Sequence, residues 1–298
     1  MRVAVTGARG RLGGALIRAL GDDGIAWGRT EVDLDDPGEI EAPFLRDRPE
    51  AVVHAAAWTD VDGCAGNPDL AHQRNGAATG RLARACASRG VHLVVISTNE
   101  VFDGLRSDGR AYAADDTPSP GNAYGLSKLA GERAALDAFA EAPAALAIVR
   151  TAWLFGPPGR DFPDKILDAA ARAAATGTPL RLVDDEFGNP TSVDDLAAAI
   201  LALLGGGLPT AIHHVTNAGS TTRADWAREI LRLADVSDVP TEDVPSRTWS
   251  RPSVPPPRAV LEPTALPDGM TLPSWREATA AYLPVLLRAR AEREGGIH

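Results

Sequence analysis

The sequence predicts a doubly wound α/β fold, a parallel sheet with helices on both faces and a smaller C-terminal lobe interleaved with it. Three observations predict it. Short β-branched runs alternate with longer helical stretches up to about residue 150, as crossover connections between parallel strands require. A glycine-rich turn separates the first strand from the first helix. After Arg150 the alternation becomes mixed and runs into a proline-dense stretch that no helix tolerates.

Taken in order, Arg2–Thr6 (RVAVT) is a buried-strand run, and the helical stretch Arg11–Leu20 follows, stopping at Gly21 or Gly24. Ile25–Trp27 is a weaker strand and Ala51–His54 (AVVH) a stronger one. Asp69–Ser88 reads as a long helix ending before Gly90, Val91–Ser97 as the next strand, Tyr124–Ala140 as a helix ending before Pro143, and Ala145–Arg150 as a further strand. Beyond it, Ser192 caps a helix over Asp194–Leu204, His213–Asn217 reads as a short strand, and Thr221 and Thr222 precede an amphipathic helix over Arg223–Leu233. Arg251–Pro263 carries five prolines in thirteen residues and must be extended. This organisation predicts a dinucleotide-binding domain over 1–155, with 188–218 returning to it, and a substrate lobe made of 156–187 and 219–298.

With 298 residues, 44% hydrophobic and 23% charged, the chain can bury a sizeable core unaided. Its formal net charge of -10 argues against nucleic acid or an anionic membrane as the main partner, so phosphate groups must be bound by local features. The only cysteines, Cys64 and Cys86, supply neither a disulfide framework nor a four-ligand zinc site. No apolar run approaches the roughly 20 residues of a membrane span. The expectation is a cytoplasmic, metal-independent protein.

The turn reads Thr6-Gly7-Ala8-Arg9-Gly10-Arg11-Leu12-Gly13. Glycines at this spacing allow a tight turn, close approach of a diphosphate to backbone N–H groups, and close packing of helix on strand, while the helix N-terminus favours negative charge. In this strand-turn-helix context it predicts a Rossmann-type dinucleotide site. The end of the second strand decides which dinucleotide. Arg29 there favours the 2′-phosphate of NADP, and Asp33 leaves the ribose hydroxyl of NAD open, so the expectation is NADPH or NADH with NADPH favoured.

Tyr124 and Lys128 stand four residues apart, on one face of a helix. An ammonium group beside a phenol stabilises the phenolate and should lower its pKa, which tunes the tyrosine for proton transfer to a carbonyl oxygen. Ser97 and Thr98 close the preceding strand, at the sheet edge where open α/β folds bind ligands.

Together the glycine turn, Thr98, Tyr124 and Lys128 resemble the site of extended short-chain dehydrogenase/reductases. Five segments resemble more narrowly the dTDP-4-dehydrorhamnose reductase family: His54–Asp62 (HAAAWTDVD), Ser97–Gly104 (STNEVFDG), Asn122–Glu132 (NAYGLSKLAGE), Arg150–Gly156 (RTAWLFG) and Phe187–Thr191 (FGNPT). The resemblance implies reduction of the C4 ketone of a nucleotide-linked 4-keto-6-deoxyhexose, with the nucleotide sugar as small-molecule partner. A homodimer is also open. Within this likeness Tyr124 is the proton donor, Lys128 holds the nicotinamide ribose and tunes Tyr124, and Thr98 bonds the substrate oxygen. Gly7, Arg9, Gly10, Arg11, Leu12, Gly13 and the turn Ala55, Ala56, Ala57 lie against the cofactor. Thr59, Val61 and Trp153 lie near the sugar, and Asn75 matches a family asparagine.

Two departures bear on specificity. Asn99-Glu100 stands where the family reads Asp-Tyr, and the family's Arg-Pro pair survives only loosely, leaving Arg258 or Arg251 to meet the diphosphate. The departures leave open a reductase of another 4-keto sugar, and the family's resemblance to the regulatory subunit of methionine adenosyltransferase leaves open a non-catalytic NADP-binding protein.

Overall fold

The computed structural model describes residues 1–295. Six strands form one parallel sheet: β1 Val3–Thr6, β2 Gly24–Trp27, β3 Ala51–His54, β4 His92–Thr98, β5 Leu146–Thr151 and β6 Ala211–His214, in the order β6-β5-β4-β3-β1-β2. Their runs are apolar rather than alternating because both faces are covered. On one face Val3, Val5, Val53 and Val94 pack against Leu16 of the Arg11–Leu20 helix and against Leu196, Ile200 and Leu203 of the Val193–Gly205 helix. Each of those last three side chains is fully buried, which contributes about 1.5–3 kcal/mol apiece. On the other face Trp27, Val52, Leu93 and Ile148 meet Leu82 and Phe139. The strand order reverses between β1 and β3, so the crevice of a doubly wound sheet opens at their carboxyl ends.

Two elements depart from the sequence reading. The stretch Asp69–Ser88 is not one α-helix: a π-helical turn over His72–Ala77 interrupts it, followed by a helix over Ala78–Ala87. The last strand lies earlier than His213–Asn217, at Ala211–His214, because pairing with β5 from Ala211↔Ala147 to His214↔Arg150 fixes its register. Ser192 does precede the Val193–Gly205 helix, without a side-chain cap bond.

A second apolar cluster gathers Phe155, Leu167, Leu180, Trp226, Ile230, Trp275 and Leu283. It lies among the helices Phe162–Thr176, Arg223–Leu233 and Trp275–Gly295 and the parallel pair Leu180–Val183 with Thr241–Val244. Arg251–Pro263 is extended as expected and is held to the rest by the bridges Tyr112↔Leu261 and Phe187↔Arg258 and by side-chain hydrogen bonds, among them Asn99 to the Ala259 carbonyl and the Leu261 N–H to Asn189.

Candidate active site

The glycine turn between β1 and the Arg11–Leu20 helix is built by backbone contact. Gly7 has φ +67°, and a Cβ there would stand 2.8 Å from the Cα of Ala56; one at Gly13 would stand 2.2 Å from the carbonyl oxygen of Gly7. Gly10 precedes the helix and offers no side chain to cap it, so the first-turn N–H groups are free to meet an anion. A diphosphate fits a cradle of this kind, where any side chain would fill the space. Leu12 is buried beneath it. Arg11 reaches across to the carbonyl oxygen of Gly159 and to Asp161, 3.2 Å from each, and ties the helix start to the loop after β5.

Beside the turn lies a cavity of about 390 Å³, lined by Ala55, Ala56 and Ala57 on one side and by Arg29, Asp33, Asp35 and Arg74 on the other. Asp33 accepts a hydrogen bond from the backbone of Asp35 at 3.0 Å, and Arg29 pairs with the Asp35 carboxylate at 2.8 Å. Arg9 departs from expectation. Its guanidinium lies 3.3 Å from the Thr30 hydroxyl and 3.8 Å from Glu31, outside the residues that line the cavity.

A second cavity, of about 580 Å³, shares Gly7, Gly10, Ala55 and Ala57 with the first, so the two adjoin at the turn. Thr98, Tyr124 and Lys128 all line it, together with Thr59, Val61, Glu100 and Trp153. Several buried contacts bring them there. Asn122 caps the Ala123–Phe139 helix by accepting from the Gly125 N–H at 2.8 Å, and its amide donates to Glu100 at 2.7 Å. A Cβ at Gly125 would stand 2.0 Å from the Glu100 carbonyl oxygen and one at Gly131 2.5 Å from that of Asn75, so this helix is pressed backbone to backbone against both neighbours. Asn75, on the π turn, accepts from the Trp58 N–H at 2.8 Å and donates at 3.0 Å to the Ser127 hydroxyl. The buried pair Arg150–Glu132, 2.7 Å apart, locks the same helix to β5.

Electrostatics differ from expectation at the tyrosine. Burial pushes the Tyr124 phenol up rather than down, the Glu100 carboxylate adds to the rise, and only the Thr98 hydroxyl works against it. Lys128 is buried too, which lowers it to about 8 against the pull of Glu132. Both groups therefore hold their protons at pH 7. Burial likewise raises the Glu100 carboxyl, opposed by the Asn122 hydrogen bond. Under the cradle, His54 is lowered to about 3 by burial and by Lys128, and its neutral ring bridges the hydroxyls of Thr6 at 2.8 Å and Thr79 at 3.0 Å.

At the far wall Trp153 takes a left-handed backbone with φ +44°, and its ring fills the space that a Cβ at Gly188 would need, 2.4 Å away. The Arg223 guanidinium lies over that ring, 3.6 Å from its centroid, and pairs with the buried Glu186 at 3.6 Å. Burial lowers Arg223 to about 10, with Glu186 and Glu100 opposing. Glu186 also binds Arg251. A third cavity of about 560 Å³ opens on the other side of this cluster and shares Phe162, Lys165 and Arg223 with the second.

The chain from 1 to 287 matches the family model described as the RmlD substrate binding domain. The chain belongs to this family. It is 37% identical over 294 residues to a dTDP-4-dehydrorhamnose reductase of Streptomyces griseus, covering 96% of this chain and 94% of the relative. It is 36% identical to a dTDP-4-keto-6-deoxy-D-glucose reductase of Streptomyces niveus, covering 96% and 97%. A crystal structure of dTDP-4-dehydrorhamnose reductase from Bacillus anthracis in complex with NADP superposes with a TM-score of 0.85 at 28% identity, covering 95% of this chain and 99% of that one.

Within this family member, the structure gathers nearly every residue singled out from the sequence. Arg9 is one exception and Arg258 the other. Arg258 lies over the Phe187 ring, 4.8 Å from its centroid, and donates to the Gly109 carbonyl at 3.2 Å, away from both cavities, whereas Arg251 lines the third. The bridge between Phe187 and Arg258 holds it there. Sequence reasoning missed Arg223, Glu186 and Asn122 as parts of the site. The cap position of Asn122 was a readable signal; Arg223 carried none beyond its place at a helix start.

Proposed function

We propose that this chain reduces the C4 ketone of a nucleotide-linked 4-keto-6-deoxyhexose, taking dTDP-4-dehydro-L-rhamnose to dTDP-L-rhamnose with NADPH or NADH. The observation that carries the reading is that Thr98, Tyr124 and Lys128 line one cavity, adjoining the glycine cradle on one side and sharing Arg223 with a third cavity on the other. Gly7, Gly10, Gly13 and Ala55–Ala57 would hold the dinucleotide, and Lys128 its nicotinamide ribose. The reduced nicotinamide, when bound, supplies hydride to the carbonyl carbon. Thr98 and Tyr124 hold the carbonyl oxygen, and Tyr124 passes it the phenolic proton, a step worth on the order of 10²–10⁴-fold. A reduction starts from the protonated phenol, the form Tyr124 holds at pH 7, although its raised pKa alone makes it a weaker acid. Lys128 keeps a positive charge beside the phenolate that results.

The hexose fits between Thr59, Val61 and Trp153, with the nucleotide in the third cavity and the diphosphate passing Arg223, not Arg258. The strained backbone of Trp153 supports a binding role, since such strain costs roughly 1–3 kcal/mol and persists where the surroundings impose it. The glycine cradle in 1–155 and the third cavity, lined mostly from 156–187 and 219–298, support the two-part organisation at the dinucleotide and nucleotide ends, while the hexose pocket between them draws Thr59, Val61 and Trp153 from the first part. A cytoplasmic homodimer is the accompanying expectation, read by size-exclusion chromatography with light scattering.

The test is a panel of 4-keto-6-deoxy sugar nucleotides incubated with each reduced cofactor while absorbance at the nicotinamide band is followed. Turnover of the dTDP-linked rhamnose precursor supports the proposal. Turnover of a different sugar supports the second reading, favoured by Glu100 at the sugar cavity and by the Streptomyces niveus relative. Binding of NADPH without turnover of any substrate leaves a non-catalytic protein.

A further inference from the structure

At the adenosine end of the cofactor cavity two guanidinium groups from distant segments converge on one carboxylate oxygen. Arg29 follows β2, and its Nη2 lies 2.8 Å from Oδ2 of Asp35. Arg74 comes from the π turn, and its Nε lies 3.4 Å from the same oxygen. All three residues line the cavity that runs past the glycine turn, together with Trp58, over whose ring Arg74 lies at 5.6 Å. The pairing with Arg74 is loose. Its Nε is buried yet makes no hydrogen bond, so a buried donor is left for a better-placed anion.

We propose that Asp35 sets the cofactor preference of this enzyme by occupying, as an internal counter-ion, the place where Arg29 and Arg74 would grip the 2′-phosphate of NADPH. Two cations around a single anionic oxygen make a phosphate-sized site already filled by a carboxylate. NADPH must displace Asp35 from both arginines and then sit beside its charge. NADH carries a hydroxyl instead, which donates to the same carboxylate and leaves the arginines neutralised. The result is dual use, with neither cofactor fully favoured. Asp33 stays out of this exchange, since its carboxylate is engaged by the Asp35 backbone N–H.

The π turn is what aims Arg74. A π turn inserts an extra residue into the helix and rotates the side chains before it, and here it places Asn75 against the active-site helix while Arg74 turns toward the cofactor cavity. One irregular turn thus serves both ends of the cofactor site.

Binding of two fragments isolates the 2′-phosphate without catalysis. The affinities of 2′,5′-ADP and 5′-AMP, measured by isothermal calorimetry on the wild-type enzyme and variants, give its contribution as a ratio. Asp35→Asn should tighten 2′,5′-ADP about tenfold while 5′-AMP, whose 2′-hydroxyl loses a charged acceptor, stays the same or weakens slightly, and the NADPH-to-NADH ratio of kcat/KM should rise in step. Arg74→Ala should weaken 2′,5′-ADP by a similar factor and spare 5′-AMP, which keeps the proposal testable if Asp35→Asn fails to fold. An unchanged fragment ratio in Asp35→Asn, or equal losses of both fragments in Arg74→Ala, overturns it. Should neither fragment bind the wild-type enzyme, the cavity is not the adenosine site and the proposal falls with that assignment.

Discussion

The two sides of the catalytic cavity are made of different materials. On the glycine side the wall is backbone: Gly7 lies against Ala56 and Gly13 against Gly7, with contacts that a single added carbon would destroy. Toward the sugar the wall is a stack of side chains, Trp153 under Arg223 and Arg223 beside Glu186. Backbone construction holds a group that every member of a chemistry shares, the diphosphate of a dinucleotide, and it fails abruptly when altered. Side-chain construction tunes recognition of one substrate and fails by degrees.

The sharpest way to break this contrast is Gly13→Val. A Cβ 2.2 Å from the Gly7 carbonyl has no room, so saturable NADPH binding in a fluorescence titration should vanish. Retained micromolar binding would show that the cradle is not built by close approach.

On the same side, His54 ties β3 to β1 through Thr6 and to the helix behind through Thr79. Its folded pKa of about 3 lies below the ordinary 6.5, so its contribution to stability is complete above pH 6.5 and is lost as pH falls toward 3. At pH 5 the loss comes to about 2 kcal/mol. Urea unfolding at pH 7.5 and pH 5 should show this decrement in the wild-type protein, and His54→Asn should flatten the difference between the two.

The side-chain wall should respond more mildly. Arg223→Ala removes the guanidinium proposed to meet the substrate diphosphate and should raise the KM for the sugar nucleotide roughly 10- to 100-fold, in line with about 1.5–3 kcal/mol for hydrogen bonds to charged groups, while the NADPH dissociation constant stays put. Equal weakening of both would mean that Arg223 supports the whole site, and the contrast would dissolve.

The same contrast explains what the sequence disclosed. Gly7 and Gly13 announce themselves because backbone geometry admits no other residue there, and Tyr124 with Lys128 because helical spacing is fixed. Asn122 sat at a recognisable cap position, yet only the fold shows its amide reaching Glu100. Arg223, Glu186 and Arg251 come from three separated segments, and no local pattern pairs them. Choosing between Arg251 and Arg258 depended on a single bridge to Phe187 that holds Arg258 outward. The π turn escaped notice because one inserted residue leaves the helical composition of its neighbours unchanged.

All of this rests on Tyr124 as the proton donor to a ketone held in the second cavity. The most direct measurement is kcat of Tyr124→Phe beside its NADPH dissociation constant. The phenylalanine ring keeps the buried shape and removes only the hydroxyl, so kcat should fall by roughly 10²-fold or more with cofactor affinity preserved. A kcat within a few-fold of the wild type, or a parallel collapse of cofactor affinity, would contradict the account.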